Sequence, residues 1–246
     1  MPDRPIDPRL RGRIAVVTGG GRGLGRALVE SFAAAGANVA FSFRESRSGA
    51  EDAARAVLAQ GRSVFTRQAD ARVPGEVAAF VTAAGEALGG IDVLVNNVGV
   101  FRRTPFETLT EELLDEAFAV NVKAAVMASH AAAPFLRRRG GGAIVNVASL
   151  GGRRPWRSYL PYCATKAGLM MATQCLALAL GPEVRVNAIA PGILDPPGAD
   201  DALRQRVPAR RFGTHAEAVE AVMYLAAGGS YTTGAILPVD GGRGLA

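Results

Sequence analysis

The sequence predicts an α/β protein, a doubly wound three-layer sandwich around a parallel sheet of about seven strands. Three observations support this prediction. Short apolar runs that suit buried strands alternate with amphipathic, helix-like stretches along the whole chain. A glycine-rich turn joins the first strand to the first helix, and 49% hydrophobic residues in a chain of 246 are enough for one large core. We therefore expect residues 1–246 to form a single domain.

The first strand, turn and helix occupy residues 13–35. Residues 13–18 are a short apolar run, residues 19–25 are rich in glycine, and the amphipathic stretch 26–35 is stopped by Gly36. In this context the missing side chains let the backbone approach a pyrophosphate, and the helix N-terminus offers it free N–H groups. The turn predicts a Rossmann-like dinucleotide site, with a turn that merely packs tightly as the alternative. Its binding residues are then Gly19, Gly21, Arg22, Gly23, Leu24 and Gly25.

The second strand, residues 38–43, carries information about the ribose of the dinucleotide. A site for NAD usually has Asp or Glu after this strand to bond the 2′-hydroxyl, whereas the 2′-phosphate of NADP requires cations. Here Arg44 follows the strand, and Arg22 lies in the glycine turn. We therefore predict NADPH over NADH. Glu45 argues against this choice, and two ordinary surface arginines are the alternative interpretation.

The next elements bring polar residues to the ends of strands. A helix is predicted at 51–60, a strand at 63–68 leading to Asp70, a helix at 76–88, and a strand at 91–95 that runs into Asn96-Asn97-Val98-Gly99. Adjacent asparagines and a glycine are also common in simple turns. They lie, however, at the carboxyl edge of a parallel sheet, where open α/β folds bind ligands.

The second half of the chain repeats the alternation. Residues 110–138 predict one or two helical segments, with Asn121 at a polar interruption, and strand 142–148 delivers Ser149 to the same sheet edge. A capping or turn serine is the alternative for Ser149. Further elements follow at 162–180 (helix), 184–189 (strand leading to Pro191-Gly192), 217–227 (helix) and 235–239 (strand). The stretch 193–212, rich in Pro, Asp and Arg, predicts a mobile lid.

Tyr162 and Lys166 form the most informative pair in the sequence. Four residues apart, they lie on the same face of the predicted helix. Only two of the 28 basic residues are lysines, so a lysine at this position is unusual for this chain. An ammonium group close to a phenol lowers the phenol pKa and lets it exchange protons with a substrate oxygen. Chance placement of Tyr and Lys in a helix is the alternative.

Together these residues resemble the short-chain dehydrogenase/reductase family over residues 12–242. The matching pieces are Thr18-Gly19-x-x-x-Gly23-x-Gly25, Asp70, Asn96-Asn97-Val98-Gly99, Asn121, Ser149, Tyr162-x-x-x-Lys166 and Pro191-Gly192. The resemblance implies an enzyme in which Tyr162 is the general acid that protonates a carbonyl oxygen. Ser149 would hold that oxygen, Lys166 would bind the nicotinamide ribose and lower the Tyr162 pKa, and Asn121 would support a proton relay.

The resemblance also implies the remaining cofactor contacts. Asp70 would contact the adenine, and Asn97 would contact the body of the cofactor. Further contacts are implied for Ala71, Val98, Gly99, Tyr162, Lys166, Pro191, Gly192 and Ile193. The chain departs from the family pattern after Pro191-Gly192, where the threonine that often bonds the nicotinamide carboxamide is missing. Backbone groups at Ile193 are the expected substitute.

The substrate is predicted only as a small-molecule carbonyl compound. Similarity to 3-oxoacyl-[acyl-carrier-protein] reductases favours a 3-oxoacyl thioester, and similarity to pteridine reductases is the alternative. In the latter, Phe101 would stack on a flat heterocycle, although a core contact is equally compatible with the sequence. The substrate residues are then Phe101, Ser149 and Tyr162. Arginines 102, 103, 153, 154 and 157 could steer an acidic carrier or form a solvated surface.

Composition argues against several other classes of protein. The net charge of +6 and pI near 10.0 come from scattered arginines without a nucleic-acid-binding module. Two histidines and two cysteines without a cluster argue against a metal site. We expect no apolar run that approaches the length needed to span a membrane, and the polar start of the chain is unlike a signal peptide. We expect a cytoplasmic protein, and the resemblance implies a homotetramer. A non-catalytic nucleotide sensor is a remote alternative.

Overall fold

A computed structural model describes residues 10–196, 198 and 201–245. Its centre is a seven-stranded sheet of order β3-β2-β1-β4-β5-β6-β7 in which every pair of neighbours is parallel. The strands are β1 Ile14–Val17, β2 Asn38–Phe43, β3 Val64–Gln68, β4 Val93–Asn96, β5 Gly142–Val147, β6 Val184–Pro191 and β7 Ile236–Val239. The predicted doubly wound α/β architecture is confirmed.

The helices cover both faces of this sheet. They are α1 Gly23–Ala34, α2 Arg47–Ala59, α3 Glu76–Leu88, α4 Glu111–Phe118, α5 Ala124–Arg138, α6 Leu160–Leu180, α7 Asp201–Gln205 and α8 His215–Met223. Successive strand residues point to opposite faces. Ala15 and Val17 therefore pack with α1, α2 and α8, whereas Val16 packs with α3, α5 and α6. Two separate apolar layers result, one on each side of the sheet.

The strand order reverses between β1 and β4, and this reversal creates a crevice at the carboxyl ends of the strands. β1 pairs with β2 on one side and with β4 on the other. The helices that follow β1 and β4 leave in opposite directions, so the loops between them part. The glycine turn after β1 and the Asn97-Val98-Gly99 segment after β4 border this crevice.

Several predicted element boundaries were wrong. α1 begins inside the glycine turn, α2 begins at Arg47, and α6 begins at Leu160, with Pro161 in its first turn. Glycine lowers apparent helix propensity, and proline is well tolerated at a helix start, so both misplace helix starts read from sequence. The predicted lid at 193–212 contains α7, which was not predicted, and its residues 197, 199 and 200 lie outside the described residues.

α6 is long and apolar enough to cross a bilayer by length and composition alone. The expectation that no segment of this kind exists was therefore wrong for this helix. α6 nevertheless packs against β6 and the turn Leu150–Gly152, and it buries Thr165, Lys166 and Thr173 in the sandwich. These contacts make it a helix of the protein core.

Candidate active site

A cleft of about 440 Å³ occupies the crevice where the strand order reverses. It is bordered by loops from β1, β2, β3 and β4. Twelve of its lining residues were predicted as cofactor contacts from the sequence. They are Gly19, Gly21, Arg22, Gly23, Leu24, Gly25, Arg44, Asp70, Ala71, Asn97, Val98 and Gly99.

The glycine turn is held in shape by backbone packing and by the strand next to it. Gly19 has φ of +73°, and a Cβ on Gly25 would collide with the main-chain oxygen of Gly19. The Asn97 side-chain amide donates to the main-chain oxygens of Thr18 (3.0 Å) and Gly19 (3.1 Å). The Thr18 hydroxyl in turn accepts from the main-chain N–H of Asn97 at 2.9 Å. Asn97 therefore ties the end of β4 to the turn and fixes the width of the cleft.

Charged groups gather at the end of the cleft near β2 and β3. Arg44 pairs with its neighbour Glu45 at 2.8 Å, and Gln68 donates to the main-chain oxygen of Arg44. Arg72 forms a bidentate pair with Asp70 and holds the pKa of that carboxyl below its usual range. The two carboxylates at this end, Glu45 and Asp70, already have arginine partners. Together with Arg22 and Arg44, they make this end better suited to a ribose 2′-phosphate than to a ribose 2′-hydroxyl.

Ser149 begins a second group of polar residues at the ends of β5 and β6. Its hydroxyl accepts from the N–H of Gly151 at 3.1 Å and so caps the turn Leu150–Gly152. Its side chain is also near enough to Tyr162 to lower the pKa of that phenol. Ser149 is therefore both a capping residue and a neighbour of the phenol, so the two interpretations of the sequence are compatible.

Lys166 is buried beneath Tyr162 on the same face of α6. Its Nζ lies 5.9 Å from the centre of the Tyr162 ring and donates to the main-chain oxygen of Val147 at 2.8 Å. Burial lowers the pKa of Lys166 to about 8. The chain thus holds an ammonium group with little solvation next to the phenol.

The predicted lowering of the Tyr162 pKa was wrong in direction. The pKa of Tyr162 is raised above its usual value because burial disfavours the phenolate, and the interaction with Ser149 offsets only part of this effect. The Lys166 ammonium is directed to the Val147 carbonyl. Desolvation is therefore the dominant influence on the phenol, which keeps its proton at neutral pH.

Asn121 lies in a five-residue π-helical segment, Ala119–Lys123, between α4 and α5. Its Oδ1 accepts from the N–H of Val100 at 2.8 Å, and its Nδ2 donates to the Val100 oxygen and to the Thr165 hydroxyl. The Thr165 hydroxyl donates to the main-chain oxygen of Tyr162. Asn121 therefore links the β4 loop to the first turn of α6. π-helical insertions are frequent at functional sites.

Gly99 lines the cleft and also lies next to the polar side chains of Asn121 and Lys166. A Cβ at this position would stand 3.2 Å from Asn121 Oδ1 and 3.3 Å from Lys166 Nζ. Tyr162, Lys166, Pro191, Gly192 and Ile193 do not line the 440 Å³ cleft itself. Pro191 ends β6, and the Gly192 N–H donates to the main-chain oxygen of Val239 at the end of β7. This segment therefore lies at the carboxyl ends of β6 and β7.

Phe101 is not a core residue, because its side chain is 61% exposed. Its ring stacks on Tyr159 with centres 4.8 Å apart and meets Tyr162 edge-on at 4.7 Å. Trp156 stacks on Tyr162 at 5.9 Å. We call these four residues the aromatic cluster. Its rings come from the loop after β4, the loop after β5 and the start of α6, and their grouping was not predicted.

Other lining residues were also missed by the sequence analysis. They are Ser42, Phe43, Glu45, Ser46, Ala69, Val100, Glu116 and Val120. Ser42 accepts from the N–H of Gly19 at 3.1 Å, which places it under the glycine turn. Its position at the end of a strand beside that turn was a usable signal. Glu116 lies on α4 and Val120 in the π-helical segment, and only tertiary packing brings them to the cleft.

The fold and this arrangement define a Rossmann-type oxidoreductase that binds a nicotinamide dinucleotide. A sequence profile described as enoyl-(acyl carrier protein) reductase matches residues 19–243. A Mycobacterium tuberculosis protein named only as an oxidoreductase is 42% identical, covering 95% of this chain and 93% of its own length. A Streptomyces violaceoruber protein named as a ketoacyl reductase of the granaticin polyketide synthase is 36% identical, covering 94% and 96%.

Solved structures agree with these relatives. A Burkholderia cenocepacia short-chain dehydrogenase in complex with NADP has 38% sequence identity and a TM-score of 0.90, covering 96% of this chain and 99% of that one. A Serratia marcescens short-chain dehydrogenase/reductase has 36% identity and a TM-score of 0.91 with the same coverage. The chain belongs to the short-chain dehydrogenase/reductase family, and it is an NADP-dependent oxidoreductase. The predicted family, enzyme class and cofactor are confirmed.

Proposed function

We propose that the protein reduces a ketone to an alcohol with NADPH and that Tyr162 is the proton donor. The observation that carries this proposal is the position of Tyr162 on α6, one turn before buried Lys166, with Lys166 Nζ 5.9 Å from the centre of its ring and Ser149 nearby. When bound, NADPH supplies the hydride. The raised pKa keeps the Tyr162 phenol protonated at neutral pH, so it is ready to donate a proton as negative charge develops on the carbonyl oxygen.

Ser149 positions the same carbonyl oxygen. Its oxygen accepts a hydrogen bond from the Gly151 N–H, and its hydroxyl hydrogen would donate to the carbonyl oxygen of the substrate. A fixed donor at this point stabilises developing negative charge without reorganisation. Lys166 would bind the nicotinamide ribose. Its ammonium, next to the Tyr162 ring, would also stabilise the negative charge of the phenolate that remains after proton transfer.

Asn121 would support a relay that returns a proton to Tyr162. Its amide connects Val100 with Thr165, and Thr165 contacts the main chain of Tyr162. These bonds hold the π-helical segment against the β4 loop and the start of α6. In this proposal Asn121 is a positioning residue, because it acts through the groups that it aligns.

The cofactor is proposed to lie along the cleft, with its diphosphate on the glycine turn and its adenine near Asp70 and Ala71. Arg22 and Arg44 would hold the 2′-phosphate. Val98 and Gly99 would border the nicotinamide ribose. Pro191, Gly192 and Ile193 would contact the nicotinamide end at the sheet edge beyond β5. Residues 1–246 are proposed to form one domain with a substrate lid at about 193–212.

A 3-oxoacyl thioester is our first choice of substrate. The matching family profile and the granaticin relative both carry names that refer to acyl substrates. Arg102, Arg153, Arg154 and Arg157 lie in the loops that carry Phe101 and Trp156, where they could attract an acidic carrier. The second candidate is a pterin or another cyclic ketone, favoured by the aromatic cluster around Tyr162, because a flat ring would stack on the exposed face of Phe101.

Consumption of NADPH and NADH should be measured against 3-oxoacyl thioesters, pterins, diketones and steroid ketones. The proposal expects turnover of at least one ketone class with a preference for NADPH. Phe101→Ala separates the two substrate candidates, since losing a stacking face should raise KM for a flat ring much more than for a thioester. Tight NADPH binding without turnover of any carbonyl compound would favour a nucleotide sensor instead.

We further propose a cytoplasmic homotetramer. Met171 and Leu178 on α6 are exposed by 61% and 87%, and Tyr231 and Leu245 are almost fully exposed near β7. Exposed apolar side chains on two separate elements suit two different subunit contacts. Light scattering coupled to size-exclusion chromatography should give a mass four times that of the 25.5 kDa chain, and Leu178→Glu should lower it.

A further inference from the structure

His215, the first residue of α8, lies beside the glycine turn. The nearest atom to a Cβ built on Gly23 is His215 Nε2, at 4.0 Å, and no other atom outside the immediate chain lies within that distance. Gly23 has φ of +53°, and it is the turn residue whose missing side chain lets a dinucleotide diphosphate approach. The space beside Gly23 is therefore bounded on its far side by an imidazole nitrogen.

The ring is held in this orientation by Asp195. One carboxylate oxygen, Oδ2, accepts from His215 Nδ1 at 3.0 Å and from the His215 main-chain N–H at 2.7 Å. With Nδ1 directed to the carboxylate, Nε2 is the nitrogen left to face Gly23. A carboxylate that orients one ring nitrogen so that the other can bind is a common arrangement for functional histidines.

Asp195 itself adopts an uncommon backbone conformation to make these bonds. Its φ is +39°, in the left-handed region, and its N–H donates to the Gly213 oxygen at 2.9 Å. Non-glycine residues in this region are uncommon and are often found at functional sites. The loop after β6 is therefore shaped to present the carboxylate to the start of α8.

The geometry points to His215 as a further cofactor-binding residue that contacts the diphosphate of NADPH through Nε2. Asp195 is the positioning residue for it. Asp195 lies on the loop that follows Pro191-Gly192, and His215 begins α8. The two residues therefore bring the loop after β6 and the start of α8 together beside the glycine turn.

In this arrangement the two ring nitrogens have different partners. Nδ1 is held by Asp195 at 3.0 Å, and Nε2 is the atom directed to the space beside Gly23. Nε2 would donate to a diphosphate oxygen placed there.

The test is a set of dissociation constants for ligands that share different parts of the cofactor. NADPH and NADH both contain the diphosphate, whereas adenosine 2′-phosphate lacks it. His215→Ala should weaken NADPH and NADH binding by a similar factor of about 10, the value of one charge-assisted hydrogen bond. Binding of adenosine 2′-phosphate should be unchanged. His130→Ala, which removes the other, exposed histidine of the chain, is the matched control.

A second variant keeps the test decisive. His215→Gln introduces a side-chain amide donor of similar reach and should recover part of the NADPH affinity. This variant replaces His215→Ala in the test if the alanine variant folds poorly. Equal weakening of all three ligands, or an NADPH dissociation constant within twofold of the wild type, would overturn the assignment.

Discussion

Lys166 Nζ donates a hydrogen bond to the main-chain oxygen of Val147, 2.8 Å away, and so ties α6 to the end of β5. Ser149 follows Val147 by two residues, and Tyr162 precedes Lys166 by one helical turn. This single contact therefore aligns the strand that carries Ser149 with the helix that carries Tyr162. Lys166 therefore helps to position Ser149 and Tyr162 through its hydrogen bond to the β5 main chain, in addition to the effect of its charge.

Replacing Tyr162 by phenylalanine should remove the proton donor while leaving the ring in place. We expect the turnover rate to fall at least about 100-fold, the usual contribution of general acid catalysis. The dissociation constant for NADPH, measured by fluorescence titration, should stay within twofold. Tyr159→Phe makes the same chemical change within the aromatic cluster and should retain activity. Full activity in the Tyr162 variant would rule out this phenol as the acid.

The buried Lys166 should give the protein a specific dependence of stability on pH. The folded lysine loses its proton at about pH 8, whereas an unfolded lysine keeps it to about 10.5. Between these values the unfolded chain binds more protons, so stability rises with pH. The stability of the wild type relative to Lys166→Met should increase on the order of 2 kcal/mol from pH 7 to pH 10.

Urea unfolding at several pH values measures this difference. The chain has only one other lysine, Lys123, and it is exposed. Lys123→Met should therefore show no comparable change with pH. A pH-independent difference between wild type and Lys166→Met would mean that the folded lysine titrates like an unfolded one.

Gly25→Ala should damage the cofactor cleft, because the added Cβ meets the main-chain oxygen of Gly19. We expect a loss of stability of about 1–3 kcal/mol, typical of overpacking against rigid backbone, together with weaker NADPH binding. Gly168→Ala on α6 is the control, since its Cβ would lie 3.7 Å from Val122 and makes an ordinary contact. That variant should be as stable as the wild type or slightly more stable.

Arg22→Ala and Arg44→Ala should each weaken NADPH binding about tenfold through loss of a charge-assisted bond to the 2′-phosphate. NADH binding should hardly change, because NADH lacks that phosphate. Glu45→Gln should tighten NADPH binding, since it frees Arg44 from its 2.8 Å ion pair. The exposed Arg47 supplies the control variant, Arg47→Ala. Equal losses for both dinucleotides would place these arginines elsewhere on the cofactor.

The strands and most helices were predictable because their signals are local. Apolar runs of strand length, the glycine turn before α1 and the long run of α6 each reveal an element without its neighbours. The boundaries were less accurate where glycine or proline lies inside a first turn, as at Gly23 and Pro161. The π-helical segment at Asn121 was visible only as a polar interruption, because its shape depends on bonds to Val100 and Thr165.

The sequence by itself determined the succession of strands and helices along the chain, the dinucleotide-binding turn, and the candidate residues at the strand ends. These follow from spacing and residue type. Only the tertiary structure decided the environment of those residues: the direction of the Tyr162 pKa shift, the aromatic cluster, and the approach of His215 to Gly23. Burial and contact depend on segments far apart in the chain, and such distances are set by how the elements pack.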